Sequence, residues 1–441
     1  MRKIAFLGNS QVQRQTRCIF IVVYRHSYTL ESLKMKSIAI IGAGVTGVTT
    51  ACILNQLGYK VTVFEKQRYA SVMTSYANGG QLSASNAEVW NHFGTIFKAA
   101  SWLFKKEAPL KMNYWPDGHK ISWISEFLLQ TRNYRKNTIA TTRMAIESRK
   151  LMQKIIDDAG IDFDKSDCGI LHIYNSQREF DHAHRVNALL AEGGLERRRL
   201  SGSEILEIEP SLTKKFVGGY YTKTDSTGDI HKFTSNLADV ISTRGVEFKL
   251  WTDVTDIKTS THEVEIVSQT HGLEERADRF NAVVICAGVA SHKFGRKLGD
   301  RINIYPVKGY SITVPLSDSI SQQKAPMVSL LDDEAKIVTS RLGRDRFRVA
   351  GTAEIAGHNL DIVDARIKPL TRWVECNFPE LPSKDIKPWA GLRPMRPNMI
   401  PLVAKGRKPN IFYNTGHGHL GWTLACYTAN MVGELINAAD A

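Results

Sequence analysis

The sequence has little cysteine. Its six cysteines in 441 residues stand at least 34 positions apart, so there is no CxxC pair, no zinc-ligand spacing and no disulfide framework. They read as reduced, cytosolic and mostly buried thiols. Long apolar runs are missing as well: residues 18–24 form a run of seven, against the roughly 20 that a membrane-spanning helix requires. That run also makes a poor signal peptide, because it is short, follows a long polar stretch and is not succeeded by a small-x-small cleavage site. Peripheral attachment is the membrane option left open. Repeats and low-complexity linkers are absent, and 32 Gly with 14 Pro is ordinary for a globular chain. No Ser-His-Asp or paired-carboxylate arrangement stands out, and no metal site is expected.

What the chain does have is enough length for two or three domains and a net charge of +14. Such an excess raises nucleic acid or an anionic membrane as partners. Residues 1–34 hold six basic residues against Glu31 alone, which leaves +9 on the remainder. This segment reads as an extension outside the fold, ahead of Met35. A second basic stretch, with Arg132, Arg135, Lys136, Arg143, Arg149 and Lys150, reads as a helix with one solvated face. It lacks the interleaved aromatics of an RNA-binding surface beyond Tyr134, so no nucleic-acid partner is expected.

Chemistry begins at Ser37. The sequence S-I-A-I-I-G-A-G-V-T-G-V-T-T-A runs from a short β-branched strand through three glycines into a helix, and a second strand at residues 60–64 follows. This is a βαβ unit of a dinucleotide-binding fold. Gly42 permits the tight turn, Gly44 lets backbone approach a pyrophosphate, and Gly47 lets helix pack on strand, with phosphates at the helix N-terminus. Glu65 closes the second strand, 23 residues after Gly42, where its carboxylate can accept ribose hydroxyls. An acid there disfavours a 2′-phosphate and leaves FAD or NAD.

Three later segments extend the pattern. Residues 74–81, T-S-Y-A-N-G-G-Q, are small enough to lie against a planar ring. Residues 282–288, A-V-V-I-C-A-G, form a buried strand ending in small residues, after a helix at about 231–243 and strands at 246–250, 254–257 and 264–267; the chain is expected to rejoin the first sheet there. Residues 411–425 repeat the strand, glycine turn and helix start, and Gly416 and Gly418 would bring helix amides towards the negative charge of a reduced flavin. Residues 97–115 mix Trp, Phe and Lys as a helix would, either on a membrane surface or with one solvated face.

The ordered set of the glycine fingerprint, T-S-Y-A-N-G-G-Q, V-V-I-C-A-G, V-K-G-Y, G-L-R-P-M-R-P and G-H-G-H-L-G-W resembles the FAD-dependent D-amino acid oxidase superfamily. A closer match to its bacterial dehydrogenases rests on residues 225–237 and 102–109 and on the G-H-G block, over residues 35–437. The resemblance implies an α/β fold in which a Rossmann-type FAD domain is interleaved with a mixed-sheet substrate domain. The boundaries drawn are 35–90, 226–300 and 390–441 for the first, and 91–225 and 301–389 for the second. It also implies FAD, bound non-covalently, as cofactor. The cofactor-binding set is then Ile38, Ala39, Ile40, Ile41, Gly42, Ala43, Gly44, Val45, Thr46, Gly47, Val48, Glu65, Lys66, Ser75, Asn78, Gly80, Gln81, Val254, Ala287, Gly288, Gly416, His417, Gly418 and Leu420.

Arg393, in G-L-R-P, matches the arginine that in this superfamily pairs with the substrate carboxylate, a task suited to a planar, permanently charged fork. Arg396 is the weaker candidate. Tyr310, in V-K-G-Y, is placed in the pocket as a second catalytic residue, against a packing role as a strand aromatic. His417 and His419 are expected at the flavin edge or held structurally in the turn. The implied activity is oxidative deamination of a D-amino acid, D-alanine foremost, to a 2-oxo acid and ammonia, with electrons passed to a quinone or another acceptor. The implied setting is the cytoplasm or the inner face of the membrane. A glycine, sarcosine or D-proline oxidase of the same superfamily, an RNA-modifying flavoprotein and a non-catalytic flavin-binding protein are the alternatives.

Overall fold

A computed structural model of the chain describes residues 36–92, 94, 110–113, 115–382 and 384–440, and the fold is built by residues 37–440. The N-terminal extension lies outside the described residues, as do the 102–109 motif and most of the 97–115 segment.

Strand Ser37–Ile41 sits inside a six-stranded sheet, parallel to Lys60–Phe64 on one side and to Ala282–Ile285 on the other. Glu247–Lys249 extends one edge, and Ile411–Thr415 with Leu402–Lys405 extends the other. Side chains of a strand alternate between faces, so Ile38 and Ile40 enter one core while Ala39 and Ile41 enter another. The first core lies against helices Val45–Gln56, Ile230–Thr243 and Gly421–Asp440. The second lies against a three-stranded antiparallel sheet of Thr252–Thr259, Val264–Thr270 and Glu275–Phe280. The return to the first sheet is therefore made by Glu247–Lys249 and Ala282–Ile285, while the strands between them build a separate layer.

A nine-stranded mixed sheet forms the other half of the fold. At one edge Lys387–Met395 pairs with Tyr305–Pro315, which pairs with Arg346–Ile355, all antiparallel. The boundary drawn at 390 falls inside the first of these strands. Leu110–Met112 adds in parallel to Arg346–Ile355, so the end of the 97–115 segment is strand and not helix. Its three side chains are each half-buried, without the two-sided pattern that would have marked a strand. Helix Asp364–Asn377 covers the opposite face, burying Leu370, Trp373 and Val374 against Tyr310, Phe347 and Val349.

The basic helix is observed as Tyr134–Ala159, and much of its charge is engaged within the chain. Arg135 pairs with Glu192, Lys150 with Glu147, and Arg149 with Asp225. The five described cysteines are all free; Cys52, Cys286 and Cys426 are buried, Cys168 is half-buried and Cys376 is exposed. Among the described residues no helix is long and apolar enough to cross a membrane.

Candidate active site

A cavity of about 810 Å³ opens between the glycine turn of the first sheet and the face of the nine-stranded sheet. Its wall at one end is the start of helix Val45–Gln56, whose N-cap residue, Gly44, has no side chain to cap it. Val45 N donates to Ser75 Oγ at 3.0 Å. Gly42 adopts φ +103°, and a Cβ on it would lie 2.8 Å from the Cys286 carbonyl oxygen. A Cβ on Gly47 would lie 1.8 Å from the Gly42 oxygen, so this glycine holds helix against turn. Gly44 differs: protein meets its Cβ position only at Ser75 Oγ, 3.4 Å away, and the residue lines the cavity.

Glu65 sits at the cavity wall with one carboxylate oxygen accepting from Ala43 N at 2.7 Å and the other from Gln67 N at 2.9 Å. Burial raises its pKa, and the two amides work against that rise. Each oxygen keeps a lone pair for a hydroxyl donor.

Of the cofactor-binding set, Ile41, Gly42, Gly44, Val45, Thr46, Glu65, Lys66, Ser75, Asn78, Gly80, Gln81, Val254, Ala287, Gly288, Gly416, His417, Gly418 and Leu420 line this one cavity. Ile38, Ala39, Ile40, Ala43, Gly47 and Val48 do not; they are strand and helix positions that shape the turn from behind. Gly416 and Gly418, at φ +77° and +60°, are approached on their bare side by Arg396 and by Met395, so the end of strand Lys387–Met395 also requires glycine there. His417 is buried with Nε2 2.9 Å from Thr428 Oγ1, and burial pushes its pKa down to about 3. His419 stacks on Trp90 and reaches Asn86 O, and burial pushes it down to about 4. Both imidazoles are neutral at working pH.

Arg393 enters the cavity from strand Lys387–Met395. Gly309, on the adjacent strand, makes room for it: a Cβ there would lie 2.3 Å from Arg393 Nη2. Arg393 Nη1 donates to Thr352 O at 3.0 Å, and among the described residues no carboxylate pairs with it. Desolvation alone pushes its pKa down to about 10, which still leaves it charged. Removing the partner of a buried charge typically costs about 3–5 kcal/mol, so an unpaired guanidinium in a cavity marks a place for an anion. Arg396 does not reach the cavity and donates to Ile400 O. Tyr310 touches the wall, but its ring is in the core under the sheet and its hydroxyl donates to Glu354 Oε2 at 2.6 Å. It stands beside the buried Lys308, which pairs with Glu354 at 3.2 Å. Of the two expectations for Tyr310 the geometry matches the packing one, because alternation along the strand that opens Gly309 to the cavity directs the Tyr310 ring into the core and only the rest of the residue borders the cavity.

A polar network that sequence reading missed also reaches the wall. His172 Nε2 is 3.0 Å from Ser85 Oγ and its Nδ1 is 3.3 Å from Asp333 Oδ2, to which Tyr174 OH donates at 2.8 Å. Burial pushes His172 down to about 4, while Asp333, raised by burial, is held well below the carboxylate range by Lys336 and His172. These residues come from three separated segments, and no local spacing announces them.

An FAD-sized ligand with phosphates, ribose and a planar ring fits this chemistry. The helix starts at Gly44 on the cavity wall with one amide, Val45 N, taken by Ser75 Oγ, Glu65 can take hydroxyls, and Gln81 Oε1 and Trp422 Nε1, on residues lining the cavity, are buried without partners.

Fold and cavity define a flavin-dependent redox protein, and comparison with known families agrees. Residues 37–435 match the DAO family, described as FAD dependent oxidoreductase, and the chain belongs to that family. It is similar, at 52% identity over 402 residues, to a D-amino acid dehydrogenase 3 of Mesorhizobium japonicum, covering 91% of this chain and 97% of the relative. A D-amino acid dehydrogenase of Dechloromonas aromatica is 38% identical over 408 residues, covering 91% and 96%. Among solved structures, glycine oxidase from Geobacillus kaustophilus superposes with TM-score 0.70 at 18% identity, covering 92% of this chain and 95% of that one. L-proline dehydrogenase from P. horikoshii gives TM-score 0.70 at 16% identity, covering 92% and 94%. The α/β architecture of mixed sheets is the fold of this family.

Proposed function

We propose that the chain oxidises D-amino acids, D-alanine among them, to 2-imino acids that hydrolyse to 2-oxo acid and ammonia. The observation that carries this reading is Arg393, an unpaired guanidinium inside the cavity, and the D configuration is supported by the names of the relatives similar over nine-tenths of the chain. Bound FAD supplies the two-electron acceptor for the substrate Cα–H bond. The cavity-lining part of the cofactor set would hold it non-covalently, with phosphates at Gly44 and ribose at Glu65. Arg393 binds the carboxylate through two parallel hydrogen bonds and so orients Cα. Neutral His417 and His419 add no cation beside it. In this reading 35–90, 226–300 and 390–441 form the cofactor part of the fold and 91–225 with 301–389 the substrate part, except that strand Lys387–Met395, which the boundary at 390 cuts, belongs with the mixed sheet of the substrate part.

Electrons leave to a quinone or another carrier and not to oxygen, in keeping with the dehydrogenase relatives. The setting in this reading is the cytoplasm, and a quinone acceptor would draw the enzyme to the inner membrane face, where the basic excess favours anionic lipid. Purified enzyme with D-alanine is expected to reduce a quinone analogue and release little peroxide; rapid peroxide formation would contradict the assigned acceptor.

A further inference from the structure

Eight non-glycine residues among those described have a left-handed backbone, and two of them, Lys336 and Thr352, line the cavity. Thr352 is the β-branched one, at φ +58°. For such a residue this conformation is a genuine outlier, because both γ substituents crowd the backbone. The register explains how it is imposed. Lys308 pairs with Glu354 and Tyr310 with Gly351, so Thr352 and Ala353 together face Gly309, a bulge of one extra residue. This is the glycine over which the Arg393 guanidinium lies. The bulge turns the Thr352 carbonyl to Arg393 Nη1, 3.0 Å away. Thr352 is 6% exposed, and its hydroxyl is buried with no hydrogen-bond partner. Two separate costs, backbone strain and an unsatisfied hydroxyl, therefore meet at one cavity residue that touches the substrate-binding arginine. Costs of this kind persist where the site uses them.

We infer that Thr352 is a second carboxylate-binding residue: its carbonyl sets the guanidinium, and its hydroxyl donates to the same substrate carboxylate. The inference rests on the assignment of Arg393 to that carboxylate. It extends the site from one residue to a pair supplied by neighbouring strands.

Thr352→Gly, Thr352→Val and Thr352→Ser separate the strain from the hydroxyl. Glycine adopts φ +58° without strain, so Thr352→Gly is expected to raise Tm while raising KM for D-alanine roughly 10-fold or more, with kcat less affected. Thr352→Val is expected to share the KM defect, and Thr352→Ser to restore KM to within about twofold of the parent, as one retained hydrogen bond requires. An unchanged KM in Thr352→Val would overturn the inference, whether or not Thr352→Gly is more stable. Arg393→Ala in the same assay keeps the two readings apart. If it raises KM and Thr352→Val does not, Thr352 alone loses its role; if Arg393→Ala leaves KM unchanged, the carboxylate assignment itself falls.

Discussion

Arg393 is defined as much by a missing atom as by its own charge. The guanidinium lies where a Cβ of Gly309 would be, 2.3 Å from Nη2, so Gly309→Ala is expected to displace it without touching the cofactor end of the cavity. The expected outcome is a KM for D-alanine raised roughly 10-fold or more, in line with loss of a charge-assisted hydrogen bond, with bound flavin retained in the absorption spectrum. A loss of flavin together with KM would contradict the local account. Titration adds a second residue-scale test. Burial depresses His172, His417 and His419 from an ordinary 6.5 to about 4, 3 and 4. The unfolded chain therefore binds protons below about pH 6.5 that the folded chain refuses until near pH 4, so stability is full above 6.5 and is lost as pH falls through that window. Tm measured from about pH 7.5 to about 4.5 should fall, and His417→Gln should flatten the slope; an equal slope in the variant would remove His417 from the cause. Sequence reading reached Arg393 and the two histidines through their motifs. It could not reach Thr352, whose φ is imposed by a bulge against a strand more than 40 positions away, nor settle Tyr310, whose direction depends on which face of its strand is buried.

At the scale of elements, the turn from strand Ser37–Ile41 into helix Val45–Gln56 separates packing from binding. Gly47 is a packing glycine, because a Cβ would enter the Gly42 carbonyl at 1.8 Å. Gly44 faces the cavity, with an extended backbone at φ −74° that any residue adopts and only Ser75 nearby. Gly44→Val is expected to fold with near-parental circular dichroism and to purify colourless, whereas Gly47→Val should lose both flavin and folded yield. A yellow Gly44→Val protein would move the phosphates away from this helix. This unit was legible in the sequence because its strand, turn and helix are contiguous and each glycine has a local reason. Leu110–Met112 was not: it becomes a strand only by pairing with the end of Arg346–Ile355, a contact formed across more than 240 residues. Of the layer Thr252–Phe280, the first two strands were legible, but Glu275–Phe280, exposed along most of its length, was not, and neither was the separate sheet, because alternation specifies a buried face without naming the partner.

On the scale of the whole molecule, the two large sheets supply different halves of one cavity. The six-stranded sheet, parallel except for its edge strand Leu402–Lys405, brings helix N-termini and glycine turns, which suit phosphates and a flavin. The mixed sheet brings Arg393, Gly309 and Thr352 on three adjacent strands, which suit a carboxylate. In the proposed reading the junction of the two sets a carboxylate-bearing substrate against the flavin, and electrons pass from one enantiomer to bound FAD. The most direct test is anaerobic mixing of the purified yellow protein with D-alanine or L-alanine while following the visible absorbance of oxidised flavin. Bleaching is expected with D-alanine, none with L-alanine over the same time, and the D-alanine response is expected to be lost at matched concentration in Arg393→Ala that still carries flavin. Bleaching by L-alanine alone, or by D-alanine with undiminished affinity in Arg393→Ala, would contradict the proposed reading.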